Sequence, residues 1–216
     1  MADVAQLVER RFVVPVVAGS IPVVRPNPLI AGLVLAGGQA TRMGGGDKTL
    51  LPLGPHRILD EILGRLAPQV GALAISANGD AARFTAWGLP VLPDAVAAGP
   101  LGGILAGLTW AQAAGAEALV TVPGDTPFIP RDLVARLAPA PACAASDTGT
   151  HHPVALWPVS ALPALAAFIA AGDFRVSGFG AALGIRIVQF GGAPDPFFNV
   201  NTPDDLAQAR RLMALL

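Results

Sequence analysis

Residues 35–48 read LAGGQATRMGGGDK and carry the strongest chemical signal in the chain. Gly37, Gly38, Gly44, Gly45 and Gly46 let the backbone approach a ligand closely and aim N–H groups at anionic oxygens. Arg42 and Lys48 add two cations to the same segment. Together these features suit a cradle for a triphosphate. Lys48 is also the single lysine of the chain, which has four asparagines and no tyrosine. Lys, Asn and Tyr use codons rich in A and T, so a GC-rich gene depletes them wherever another residue will serve. On that ranking Lys48, Asn78, Asn199 and Asn201 are retained for a reason, and codon usage in the gene checks the premise.

Other chemistries are excluded by spacing. A P-loop needs G-x-x-x-x-G-K-[ST], but here Asp47 separates Gly46 from Lys48, and the segment has no G-x-G-x-x-G dinucleotide fingerprint. His151 and His152 are adjacent, so in a strand they face opposite sides. With no second paired ligand and one cysteine, Cys143, neither a zinc site nor a disulfide framework is available. No G-x-S-x-G nucleophile motif occurs. A net charge of −1 argues against binding nucleic acid through its phosphates. The chain is 53% apolar and 13% charged, against roughly 25% charge in an ordinary soluble domain. The two charge-free stretches, residues 95–116 and 148–172, are broken by Gly, Pro or His and do not read as membrane spans. A soluble cytoplasmic protein is expected.

The chain's 216 residues suit one domain with an appendage. Residues 1–28 have no helical period and contain Pro15, Pro22, Pro26 and Pro28. Residues 4–10 (VAQLVER) and 19–22 (GSIP) back-translate to the D-arm and T-arm of a transfer-RNA gene. This predicts a mis-annotated or disordered extension, with the native start near Leu29 and one domain over residues 29–216.

The elements that must position these residues alternate. Residues 29–35, 72–77, 89–92, 118–122 and 185–190 read as strands. Residues 142–146 and 153–157 read as a strand pair around a turn at 147–150. Helices are predicted over 57–66, 81–88, 101–114, 130–137, 162–171, 176–183 and 202–216. Residues 36–54 read as loop. Such alternation predicts an α/β fold with a predominantly parallel sheet covered on both faces. Ligands of such folds bind at the carboxyl ends of strands, so the loops after Leu35, Leu92 and Val122 are the places to look.

The pattern L-A-G-G-x-x-x-R-M-G-x-x-D-K resembles the signature loop of nucleotidyltransferases that activate a phosphorylated acceptor. With two glycines after alanine and Asp before Lys, it resembles the molybdenum cofactor guanylyltransferase (MobA) family. The likeness continues through GPLGG at 99–103, VPGDTPFIPR at 122–131, the His152-Pro153 strand start, DFRV at 173–176 and FNVNTPDDL at 198–206. It covers essentially residues 29–216. It implies a three-layer, Rossmann-like nucleotidyltransferase fold and transfer of GMP from GTP to the terminal phosphate of molybdopterin, with release of pyrophosphate.

Roles follow from that resemblance. Arg42, Lys48 and Asp125 form the expected catalytic set, the two cations facing the leaving pyrophosphate. Asp125, at a strand end, suits Mg²⁺, a hard cation that needs only one or two protein oxygens. The expected nucleotide set comprises Leu35, Ala36, Gly37, Gly38, Lys48, Ser76, Asn78, Asp94, Gly99, Gly103 and Asp125. Asp94 can accept from guanine N1–H and the 2-amino group, a donor pair that cytosine lacks. The family's asparagine at the second strand end is replaced by Ser76, with Asn78 two residues on. Gly45, Arg175, Asn199 and Asn201 are assigned to the acceptor or its phosphate. A monomer is expected, with transient contact to molybdenum-insertion proteins or molybdoenzyme chaperones. Two alternatives stay open. One is a molybdopterin cytidylyltransferase or sugar-phosphate nucleotidyltransferase, and the other is a non-catalytic GTP-binding regulatory domain.

Overall fold

The computed structural model describes residues 29–37 and 47–215. The extension at residues 1–28 and most of the glycine-rich segment, residues 38–46, lie outside the described residues. Nine strands are described: β1 (Ile30–Leu35), β2 (Pro52–Leu53), β3 (His56–Arg57), β4 (Ala72–Ser76), β5 (Val91–Leu92), β6 (Ala118–Pro123), β7 (Ala142–Ser146), β8 (Gly149–Pro158) and β9 (Arg186–Gln189). The α-helices are α1 (Ile58–Leu66), α2 (Pro100–Ala113), α3 (Leu133–Leu137), α4 (Leu162–Ala170), α5 (Val176–Ala182) and α6 (Pro203–Met213).

Seven strands form one sheet in the order β5-β4-β1-β6-β8-β7-β9. All neighbouring pairs are parallel except those made by β8, which runs antiparallel to β6 and β7. Strand β1 sends Val34 into one apolar core with Leu59, Ile62 and Leu66 of α1, Leu133 and Leu137 of α3, and Leu206 of α6. Its Ala31 and Leu33 enter the opposite core, with Leu101, Ile104 and Leu108 of α2, Leu165 of α4 and Phe179 of α5. Burial on both faces explains why β1 reads as a continuous apolar run. The result is three layers, helix, sheet and helix.

Local sequence accounts for several boundaries. Thr202 caps α6 by accepting from Asp205 N at 3.1 Å, while Asp205 Oδ2 accepts from Thr202 N at 2.8 Å, a reciprocal capping box with Pro203 at the first helical position. Four readings change. The helix expected from Pro130 starts at Leu133, and Pro130 O instead accepts from Leu133 N in the preceding turn. The expected helix at 81–88 is a 3-10 helix, Ala81–Trp87, ended by Gly88 at φ +62°. The presumed loop at 36–54 contains a 3-10 turn at Lys48–Leu50 and β2, which pairs with β3. Strand β8 begins at Gly149 rather than at Pro153, so it includes both adjacent histidines. No helix among the described residues is long and apolar enough to cross a membrane.

Candidate active site

Strand β1 lies between β4 and β6, so the chain winds to one side of β1 and later returns on the other. That reversal leaves a crevice at the strands' carboxyl ends. A cavity of about 360 Å³ opens there, lined by the last residues of all three strands, Leu35, Ser76 and Pro123. Gly37, Lys48, Asp94, Gly103, Asp125 and Asn199 complete its chemically distinctive wall.

One end concentrates charge. Lys48 Nζ donates to Asn201 Oδ1 at 2.6 Å. Asp125 follows β6, and its Oδ1 is shut off from solvent without a hydrogen-bond partner. Burial pushes the Asp125 carboxyl above its ordinary range, and the nearby Lys48 charge opposes that shift. The Asp125 carbonyl accepts from Val200 N at 2.9 Å, so the backbone itself brings the Asn199–Asn201 segment to this carboxylate. Gly124 has to be glycine for contact reasons. A Cβ there would lie 2.5 Å from Thr49 Oγ1 and 3.1 Å from the Leu35 carbonyl.

The other end is built around Asp94. Asn78 grips it twice, donating Nδ2 to Asp94 Oδ2 at 2.7 Å and accepting from Asp94 N at 2.8 Å. Ser76 Oγ donates to Asp94 Oδ1 at 3.3 Å. Helix α2 enters behind this group from Gly99, whose φ is +55°. A Cβ on Gly103 would meet Ser76 Oγ at 2.5 Å and Asp94 Oδ1 at 3.3 Å, so the helix can approach only without a side chain. A carboxylate presents about four lone-pair directions, which leaves acceptor capacity on Asp94 after these contacts.

The structure therefore brings together Leu35, Gly37, Lys48, Ser76, Asp94, Gly99, Gly103, Asp125 and Asn199 around one cavity. Asn78 and Asn201 stand directly behind it, on Asp94 and Lys48. Ala36, buried beside Leu35, donates its N–H to the Ser76 carbonyl at 2.8 Å. Arg42, Gly38 and Gly45 lie outside the described residues. Arg175 is not among the lining residues. It sits at the start of α5, largely exposed, where its Nη2 donates to Asp173 Oδ2 at 2.6 Å and holds that carboxyl down at about 2. Sequence reasoning missed two supports. Thr49, buried against Gly124, is one residue beyond the loop pattern, and Asp205 accepts from Asn201 N at 3.0 Å.

Residues 32–183 match the MobA-like NTP transferase domain. A molybdenum cofactor guanylyltransferase of Mesorhizobium japonicum is 54% identical over 200 residues, covering 85% of this chain and 96% of its own length. The chain belongs to the MobA-like NTP transferase family. Among solved structures, molybdopterin-guanine dinucleotide biosynthesis protein A from Archaeoglobus fulgidus has the same fold, with a TM-score of 0.66 and 21% identity, covering 86% of this chain and all of that one. A Mycobacterium tuberculosis protein crystallised with manganese matches with a TM-score of 0.59 and 22% identity, covering 85% of this chain and 98% of its own. Membership makes this MobA-like chain a nucleotidyltransferase with a three-layer α/β fold.

Proposed function

We propose that the chain transfers GMP from GTP to the terminal phosphate of molybdopterin and releases pyrophosphate. An acceptor phosphate oxygen forms a bond to the α-phosphorus of GTP. The bond from that phosphorus to the bridging oxygen breaks, and the electron pair leaves on pyrophosphate. The observation that carries the reading is one cavity with a gripped carboxylate, Asp94, at one end and Lys48 with Asp125 at the other. That layout suits a nucleoside triphosphate lying between the two. The 54% identical guanylyltransferase supports guanine as the base and molybdopterin as the acceptor.

Asp94 accepts guanine N1–H and the 2-amino group, hydrogen bonds to a charged acceptor worth roughly 1.5–3 kcal/mol each. Lys48 places its charge where the leaving pyrophosphate gains electrons, the kind of stabilisation that dominates such transfers. Asn201 holds the ammonium, and Asn199 meets the acceptor phosphate. Gly37, at the mouth of β1, leaves room for phosphates beside the backbone.

A divalent cation, Mg²⁺, fits beside Asp125. The unpartnered, solvent-shielded Oδ1 is an oxygen donor with nothing else to satisfy it. No cluster of three or more His, Cys, Asp or Glu occurs among the described residues, and Mg²⁺ bound through one carboxylate plus substrate phosphates needs none. When bound, the ion neutralises charge on the triphosphate. The manganese-bound structural neighbour supports a divalent site. The test supplies molybdopterin with equal GTP and CTP and identifies the product by mass. Guanine dinucleotide is the expected product. A cytosine dinucleotide overturns the assignment of the base, and no dinucleotide at all overturns the activity.

A further inference from the structure

Arg83 is a residue outside every motif of the family likeness, on the 3-10 helix Ala81–Trp87, and it does not line the cavity. Its guanidinium nonetheless joins the two segments that do. Nε pairs with the Asp47 carboxylate, Nη2 donates to the Asn78 carbonyl at 2.6 Å, and Nη1 donates to the Asp80 carbonyl. All three nitrogens are engaged, and both side chains of the ion pair are three-quarters or more shielded from solvent, at 25% and 16% exposure. The guanidinium also lies 4.7 Å from the centre of the Phe84 ring, a fully buried side chain, which holds the plane in place.

The two ends it joins are the two ends of the site. Asp47 immediately precedes Lys48, whose ammonium sits on Asn201. Asn78 is the residue that grips Asp94 through both its side-chain oxygen and its amide. A chain of contacts therefore runs from Asp94 through the Asn78 side chain, its backbone carbonyl and Arg83 to the Asp47 carboxylate, and the peptide bond carries it on to Lys48. A planar fork with fixed donor directions can hold three acceptors from two segments at a set separation, whereas a lysine offers a point charge on a flexible stem.

We propose that Arg83 is a positioning residue that sets the span between the base-reading carboxylate and the phosphate-end lysine, so that base selectivity depends on a side chain that touches no part of the nucleotide. The proposal rests on the reading of Asp94 as the guanine reader. Its consequence is specific. Losing the fork lets the Asn78–Asp94 pair drift relative to Lys48, and the nucleotide can then satisfy one end or the other. The penalty falls on the ligand that uses both ends fully, GTP, more than on ITP, which lacks the 2-amino donor.

The experiment measures binding of GTP and ITP with Mg²⁺ by calorimetry to the wild type, Arg83→Gln and Arg83→Lys, alongside thermal melting of each. The wild type is expected to prefer GTP, and both variants to lose about tenfold of that preference. Arg83→Lys is expected to recover melting temperature, through its charge beside Asp47, without recovering selectivity. That separation is what a merely structural role would not produce. Wild-type selectivity in both variants overturns the proposal while leaving Asp94 as the base reader. A wild type that binds GTP and ITP equally overturns the reading of Asp94, and the proposal with it.

Discussion

Lys48 and Asn201, 153 positions apart in sequence, meet at 2.6 Å between Nζ and Oδ1. The contact joins the loop after β1 to the segment before α6. Asn201 is itself held from below, since Asp205 Oδ2 accepts its backbone N–H at 3.0 Å. This cavity-lining lysine is thus aimed by a segment close to the far end of the chain. Replacing Lys48 by Ala is expected to lower kcat by about 10²–10³, the usual loss when one preorganised electrostatic stabiliser is removed. Asn201→Ala is expected to cost about tenfold, because it frees the ammonium without removing it. The double variant should cost much less than the product of the two, since both act through one group. Steady-state pyrophosphate release measures all three.

Asp125 makes a prediction about stability as well as rate. Its folded carboxyl titrates above the ordinary range because burial penalises the charge. Stability should therefore fall as pH rises from the unfolded pKa through the raised folded one, and the cost is complete above that. At neutral pH without metal, Asp125→Asn is expected to melt higher than the wild type, while turnover collapses. Adding Mg²⁺ should raise the melting temperature of the wild type only. That rise should shrink as pH falls through the raised pKa, because protons then compete for the same oxygen.

Asp94 predicts nucleotide choice. A carboxylate can accept from both guanine N1–H and the 2-amino group, while an amide offers one acceptor and places a donor in the other position. Asp94→Asn is expected to raise the KM for GTP by about 10–100-fold, the loss of one or two charge-assisted bonds, with a smaller effect on kcat. Asn78→Ala removes both grips on Asp94 and should raise KM in the same direction by a smaller factor. Initial rates over a range of GTP concentrations separate the two parameters.

Gly103 tests the packing behind that carboxylate. An added Cβ would sit 2.5 Å from Ser76 Oγ and 3.3 Å from Asp94 Oδ1. Gly103→Ala is expected to cost about 1–3 kcal/mol by overpacking and to raise the KM for GTP by displacing Asp94. Pairing it with Ser76→Gly, which removes the hydroxyl, should restore part of both losses. Chemical denaturation and GTP kinetics on the single and double variants give the comparison.

Much of this architecture could be read from sequence where burial left a pattern. The two-sided burial of β1 wrote the run LIAGLVL, and the apolar spacing of α1 matches its buried face, Ile58, Leu59, Ile62, Leu63 and Leu66. The helix start near residue 202 was legible because the chemistry of its Thr202 cap is local. What escaped the sequence was set by distant partners. Strand β8 starts early because Thr150 and His151 pair with Ala145 and Ala144 on the turn side of a bulge between Cys143 and Ala144, which no local signal carries. Arg83 falls in none of the sequence motifs, and its three acceptors come together only in the fold. Arg175, in contrast, looked like a phosphate ligand by motif and bonds to its own neighbour, Asp173, away from the cavity lining. Even where a residue type was right, its partner depended on topology, as with Asn78 and Asp94 at the ends of two adjacent strands.

In the proposed reaction one cavity holds GTP at both ends and passes its GMP to molybdopterin. The most direct measurement is pyrophosphate release from Mg²⁺-GTP with molybdopterin as acceptor, run on the wild type, Lys48→Ala and Asp125→Asn at equal protein concentration. The expected result is acceptor-dependent release by the wild type, a fall of about 10²–10³ for Lys48→Ala, and a collapse for Asp125→Asn. GTP binding by the wild type without pyrophosphate release would contradict this reaction, as would full rates in both variants.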